Sequence, residues 1–186
     1  ISGDYWQKFA SARALLGYMM TVSGKKHTFM GTEIGQFCNW NRDNELDWFL
    51  LEYESHAKLQ LYVSELNIFY LASKELWGTD NSEQSFKWID ANNRNQNIIS
   101  YPRIDSKGNE LVVIINFSPV VHESYQLGVS KMGEYIEVFN SDEMRFGGSG
   151  VINSAILRTD KSPYNYLPYS VSLRIPPLGM VILKHK

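Results

Sequence analysis

The sequence predicts an α+β chain with its helices first and its strands last. Three observations carry that expectation. Apolar residues recur three and four apart over two stretches before residue 78, short strand-like runs follow, and the polar break Thr79-Asp80-Asn81-Ser82-Glu83 lies between the two textures. The expected division is 1–78 and 79–186, with the second part an antiparallel β-sandwich.

The first helix is expected from a start signal at Ser2 and Asp4 to about Gly24. Trp6, Phe9, Ala10, Leu15, Leu16, Met19 and Met20 form its apolar side, and Lys25 and Lys26 stand by its negative end. His27 to Met30 then read as a short buried strand. A second helix is expected over about Glu54 to Leu71, with Leu59, Tyr62, Val63, Leu66, Phe69 and Tyr70 on one face. Past residue 78 the expected strands are Phe86 to Asp90, Ile98 to Ile104, Glu110 to Phe117, Ser124 to Val129, Glu134 to Phe139, Ser170 to Ile175 and Met180 to Lys184. Asp105-Ser106-Lys107-Gly108-Asn109 supplies turn chemistry between two of them. Leu111-Val112-Val113-Ile114-Ile115 is apolar at every position, which predicts a central strand buried on both sides.

Composition narrows the function classes. In 186 residues, 44% hydrophobic content is enough for a core, and a net charge of -2 carries no basic surplus for nucleic acid or an anionic membrane. The single Cys38 makes no internal disulfide, so a cytoplasmic setting is expected, and no apolar run approaches the roughly 20 residues of a membrane span. Neither cofactor nor metal is expected. The chain begins at Ile1 and enters a helix signal almost at once, which reads as an interior piece of something longer.

The connection between the first strand and the second helix is the expected binding surface. Phe29-Met30-Gly31-Thr32-Glu33 enters as an apolar strand, breaks at a glycine, delivers a carboxylate and runs into an aromatic loop, as a barrel strand hands over to an active-site loop. Glu33, Trp40, Asn41 and Asp43 are the candidate substrate-binding residues. An indole packs on sugar C–H faces, and Asn and Asp side chains pair with hydroxyls. Each has a structural alternative: Glu33 holding the loop by a hydrogen bond, Trp40 anchoring it, and Asn41 and Asp43 building a turn. Trp48 is expected in the core and His56 on the solvated side of the helix. His122-Glu123 is expected in a turn. Tyr164, Tyr166 and Tyr169 either pack a sandwich edge or touch polysaccharide.

Ordered motifs run the length of the chain: Gly3-Asp4-Tyr5-Trp6-Gln7-Lys8-Phe9, Phe29-Met30-Gly31 with Glu33, Trp40-Asn41, Leu46-Asp47-Trp48, Phe86-Lys87-Trp88-Ile89-Asp90-Ala91, Asn116-Phe117-Ser118-Pro119-Val120, Asn140-Ser141-Asp142, Gly147-Gly148-Ser149-Gly150, and Ser170-Val171-Ser172-Leu173 before Pro176-Pro177-Leu178. In this order they resemble the C-terminal part of bacterial 1,4-α-glucan (glycogen) branching enzymes, of the α-amylase superfamily. The resemblance implies the last strand and helices of a β/α (TIM-type) barrel, followed by the sandwich. It implies transglycosylation in glycogen biosynthesis: an α-1,4 glucan is cleaved and the chain passed to a 6-hydroxyl, with an α-glucan and the preceding part of the polypeptide as partners.

Retaining chemistry of that kind needs two carboxyl groups about 5 Å apart. The resemblance places those groups on earlier barrel strands, so no catalytic residue is expected here and the chain alone should be inactive. The family usually shows Glu-Trp-Asn-His-Asp where this chain has Asn39-Trp40-Asn41-Arg42-Asp43. The alternatives are a related hydrolase or debranching enzyme, or a non-catalytic glucan-binding or structural module. The barrel reading also predicts that residues 1–78 present apolar surface larger than a monomer ordinarily exposes.

Overall fold

The computed structural model describes residues 2–80 and 82–186; Asn81 of the polar break, like Ile1, lies outside the described residues. The element order is α1 (Tyr5–Thr21), α2 (Glu54–Ala72), β1 (Asp90–Asn93), β2 (Ile98–Ile104), β3 (Glu110–Asn116), β4 (His122–Val129), β5 (Glu134–Asn140), β6 (Leu157–Arg158), β7 (Tyr169–Ile175) and β8 (Gly179–His185). Every strand pairing is antiparallel. One sheet runs β1-β2-β3-β8-β5-β6 and the other is the pair β4-β7.

The molecule is layered helices, large sheet, small sheet, and side-chain alternation along the central strands explains why. On β3, Leu111, Val113 and Ile115 join Phe9, Ala14, Leu16, Leu59, Tyr62 and Leu66 of the helices in one core. Val112 and Ile114 point the other way, to Leu127, Val129, Val171 and Leu173 of the small sheet. Strand β8 divides likewise, Met180 and Ile182 toward the helices and Val181 and Leu183 away from them. The all-apolar run Leu111–Ile115 is thus a central strand covered on both faces, and the helices supply one cover.

Helix α1 begins at a capping box: the Gln7 amide donates to Asp4 Oδ1 at 2.8 Å, and Gln7 Oε1 accepts from the Asp4 amide at 3.0 Å. Its middle docks through buried Arg13, whose Nε donates to the Ser141 carbonyl at 2.9 Å, and Trp6 Nε1 donates to the Gly147 carbonyl at 2.9 Å. These acceptors belong to the Asn140–Gly150 loop, gathered by Asp142, which accepts from the Ser149 and Val151 amides and the Ser149 hydroxyl. At the C-terminal end, fully buried Arg103 of β2 donates to the Thr21 and Leu76 carbonyls at 2.6 and 3.0 Å and pairs with Asp80. A guanidinium there satisfies a helix-end carbonyl that has no intrahelical donor.

Several expectations are corrected. Residues 27–30 do not form a buried strand: they are exposed and irregular, and no described strand runs beside them to pair their backbone. The expected strand Phe86 to Asp90 is displaced, because Phe86 makes only an isolated bridge to Arg103 and pairing begins at Asp90 opposite Ser100. His122 and Glu123 open β4 and are not in a turn, since His122 registers with Ile175. Short β6, opposite the start of β5, was not foreseen. The Asp105–Asn109 hairpin forms as expected, with Asp105 Oδ1 accepting from the Lys107 and Asn109 amides.

Candidate functional site

The loop between Gly31 and Tyr53 starts at a tight turn. Gly31 has φ +81° and Gly35 φ +65°, and between them Thr32–Ile34 winds one 3-10 turn that carries Glu33. Gln36 then ties the loop together: its Oε1 accepts from the Asp47 amide at 3.1 Å and its Nε2 donates to the Cys38 carbonyl at 3.0 Å. A second 3-10 turn, Trp48–Glu52, leads into α2 and buries Leu50. Trp48 itself is exposed and not in the core.

His56 is the residue that fastens this loop to the helices, contrary to its expected solvated position. It is buried, with Nδ1 at 2.6 Å from the Ile34 carbonyl and Nε2 at 3.0 Å from the Tyr5 hydroxyl. Phe9 and Phe37 meet its ring edge-on at 4.9 and 5.1 Å. Helical periodicity put His56 one turn before Leu59, which was the available signal; its polar ring masked it. Gln36 offered no comparable signal.

The expected site residues are only partly brought together. Trp40, 41% exposed, meets Phe29 edge-on with centroids 5.9 Å apart, on a hollow of about 690 Å³ between the loop and α1 that Lys8, Leu15, Phe29 and Phe37 also line. Asn41 and Asp43 follow in the chain and are exposed, but they do not line that hollow. Asn41 Oδ1 accepts from the Asp43 amide at 3.1 Å, and Arg42 pairs with Asp43 at 3.2 Å, so both residues also serve the turn. Glu33 lines a different hollow, of about 680 Å³ between α1 and α2, with Leu16, Met20, Lys26 and Tyr70.

Burial holds Lys26 below the ordinary lysine range, with Asp80 opposing, and its ammonium lies 5.6 Å from the Tyr70 ring centroid. Among the described residues, Glu33 is the one carboxylate lining its hollow. Among those residues, that hollow holds no second carboxylate to act as an acid beside a nucleophile. What it can do is bind: apolar rings for sugar faces, and amide, hydroxyl and carboxylate groups for their hydroxyls. Among the described residues no three His, Cys, Asp or Glu side chains group as metal ligands, and no helix is long and apolar enough to cross a membrane.

Residues 88–186 match the protein family described as alpha amylase, C-terminal all-beta domain. The chain belongs to that family. In keeping with it, the matched residues contain all eight described strands.

The family match extends to named relatives over nearly the whole chain. It is 49% identical over 98% of its length to the 1,4-alpha-glucan branching enzyme GlgB of Halothermothrix orenii, and 44% identical over 99% to that of Aquifex aeolicus. In both cases it covers 29% of the relative, so the chain spans under a third of the length of these curated proteins. Among solved structures, the catalytic module of the glycogen-degrading pneumococcal virulence factor SpuA superposes with a TM-score of 0.64. The identity is 14%, with 98% of this chain and 32% of that one covered, a likeness of fold alone.

Proposed function

We propose that this chain is the C-terminal part of a 1,4-α-glucan branching enzyme, which cleaves an α-1,4 glucan and transfers the chain to a 6-hydroxyl. The observation that carries the reading is 42–49% identity to branching enzymes over 98–99% of the chain. Residues 1–78 complete the catalytic β/α barrel of the parent protein, and 79–186 form its β-sandwich. The nucleophile and acid of the double displacement come from the preceding polypeptide.

In that setting the Trp40 rim is one wall of the glucan cleft. Trp40 stacks on a glucose ring, Asn41 and Asp43 pair with hydroxyls, and Glu33 stands behind the wall. The exposed indole lining that hollow and the exposed Asn41 and Asp43 next to it in the chain support this assignment. The same reading explains why the helices expose apolar side chains on the face turned away from the sheet.

The test is an iodine-staining assay on amylose. The chain alone should leave the stain unchanged, and adding the preceding polypeptide should restore branching. Branching by the chain alone would overturn the proposal.

A further inference from the structure

A third hollow, of about 530 Å³, lies on the β part of the molecule at the turn between β6 and β7, away from the loop that carries Trp40. Its size is within the range of small-ligand sites. Trp88 and Tyr166 stand on it, the first partly exposed and the second wholly exposed. Buried Glu110 also lines it.

Tyr166 is held out by its backbone. Tyr164 and Leu167 exchange backbone hydrogen bonds of 2.9 and 3.1 Å, and the two residues between them, Asn165 and Tyr166, have φ +50° and +61°. A turn with both central residues in the left-handed region normally has Gly in the second place, where a side chain is strained. The turn is clamped to β4: the Gly128 amide donates to Asn165 Oδ1 at 3.0 Å, and a Cβ on Gly128 would come within 2.1 Å of the Tyr164 carbonyl oxygen. A bulky ring thus occupies a strained position in a fixed turn while burying nothing.

Glu110 adds a second, independent observation. It is 7% exposed, and among the described residues its one side-chain hydrogen-bond donor is the Ser130 hydroxyl, 3.0 Å from both carboxylate oxygens. One hydroxyl proton cannot serve both oxygens, so acceptor capacity remains on a buried group lining the hollow. Glu83 and Lys87 put opposite charges on the rim, which suits a neutral polyhydroxylated ligand better than an ion.

We propose that this hollow binds an α-1,4-linked glucan segment, with Tyr166 and Trp88 facing sugar rings and Glu110 accepting a hydroxyl. The choice of an α-glucan rests on the branching-enzyme reading; the site itself rests on the geometry. It holds a glucan chain on the sandwich, separate from the Trp40 wall.

Saturation-transfer NMR of the full chain with maltoheptaose, and in parallel with cellohexaose, tests it. Maltoheptaose should bind, and Tyr166→Gly, which leaves the core untouched, should weaken it roughly five- to tenfold. Trp40→Ala should leave a binding component that Tyr166→Gly then removes. Absence of maltoheptaose binding, binding unchanged in Tyr166→Gly, or a Tyr166-dependent preference for cellohexaose would each overturn the proposal. The iodine assay separates the two readings. Branching with no Tyr166-dependent binding sinks this site alone, whereas Tyr166-dependent maltoheptaose binding without branching upholds the site and sinks the branching assignment.

Discussion

At the scale of single residues, the strain at Tyr166 and the burial of Glu110 both have measurable consequences. Moving a residue with a side chain into the left-handed region costs roughly 1–2 kcal/mol, and glycine's extra chain entropy costs roughly 0.5–1 kcal/mol. Because Tyr166 buries nothing, Tyr166→Gly should stabilise the protein by about 0.5–1 kcal/mol in urea unfolding, the difference of those two effects; a loss of stability would mean that the ring packs after all. For Glu110, burial raises the carboxyl above the ordinary value of 4.5, with Ser130, Lys131 and His185 opposing. Between the ordinary value and the raised one, the folded protein keeps a proton that the unfolded chain has released. The contribution of Glu110 is therefore fully present below that window and is lost as pH rises through it. Glu110→Gln should be more stable than the wild type at neutral pH and lose that advantage in acid. A difference in Tm that does not change with pH would refute the assignment.

At the scale of elements, α1 is clasped at its middle and its end by arginines from opposite directions in the sequence. Arg13 reaches out of the helix to the Asn140–Gly150 loop, and Arg103 reaches from β2 to the helix end. Both are buried, so each leaves unsatisfied carbonyls if removed, and Arg103 also leaves the Asp80 carboxylate without its partner. Arg103→Met should destabilise the protein by about 3 kcal/mol in denaturant unfolding, the scale of a broken buried pair. A loss under about 1 kcal/mol, the scale of an ordinary exposed pair, would show that water replaces the contacts. His56 does for the loop what the arginines do for α1, joining Ile34, Tyr5 and α2 in one buried junction.

At the scale of the whole molecule, the helix layer has two apolar sides. One is spent on the sheet, where it shares a core with β3, β5 and β8. The other carries Leu15, Phe29, Met30, Phe37, Trp40, Phe49, Leu61, Ile68 and Leu71, all exposed. Surface of that kind on a soluble monomer marks an interaction face, which the barrel reading assigns to the preceding polypeptide. The chain alone should bind an apolar-surface dye and self-associate with rising concentration. Light scattering from a clean monomer, with no dye binding, would count against that reading.

Much of this architecture was legible in the sequence because its signals are local. The three- and four-residue spacing produced α1 and α2 nearly to their ends, and Asp4 with Gln7 formed the cap that a helix start requires. The all-apolar run Leu111–Ile115 dictated a strand with two buried faces, whatever covered them. Tertiary structure alone decided what did cover them: the helices, and not a second large sheet. It also decided which polar residues are interior. Arg103 meets Thr21 across 82 positions and Arg13 meets Ser141 across 128, so no window of sequence contains both partners. The segment 27–30 failed as a strand for the same reason, since a strand exists only through a neighbour. Local pattern determines what an element is; only the partners brought to it in space determine which face it hides and which side chains are left to bind.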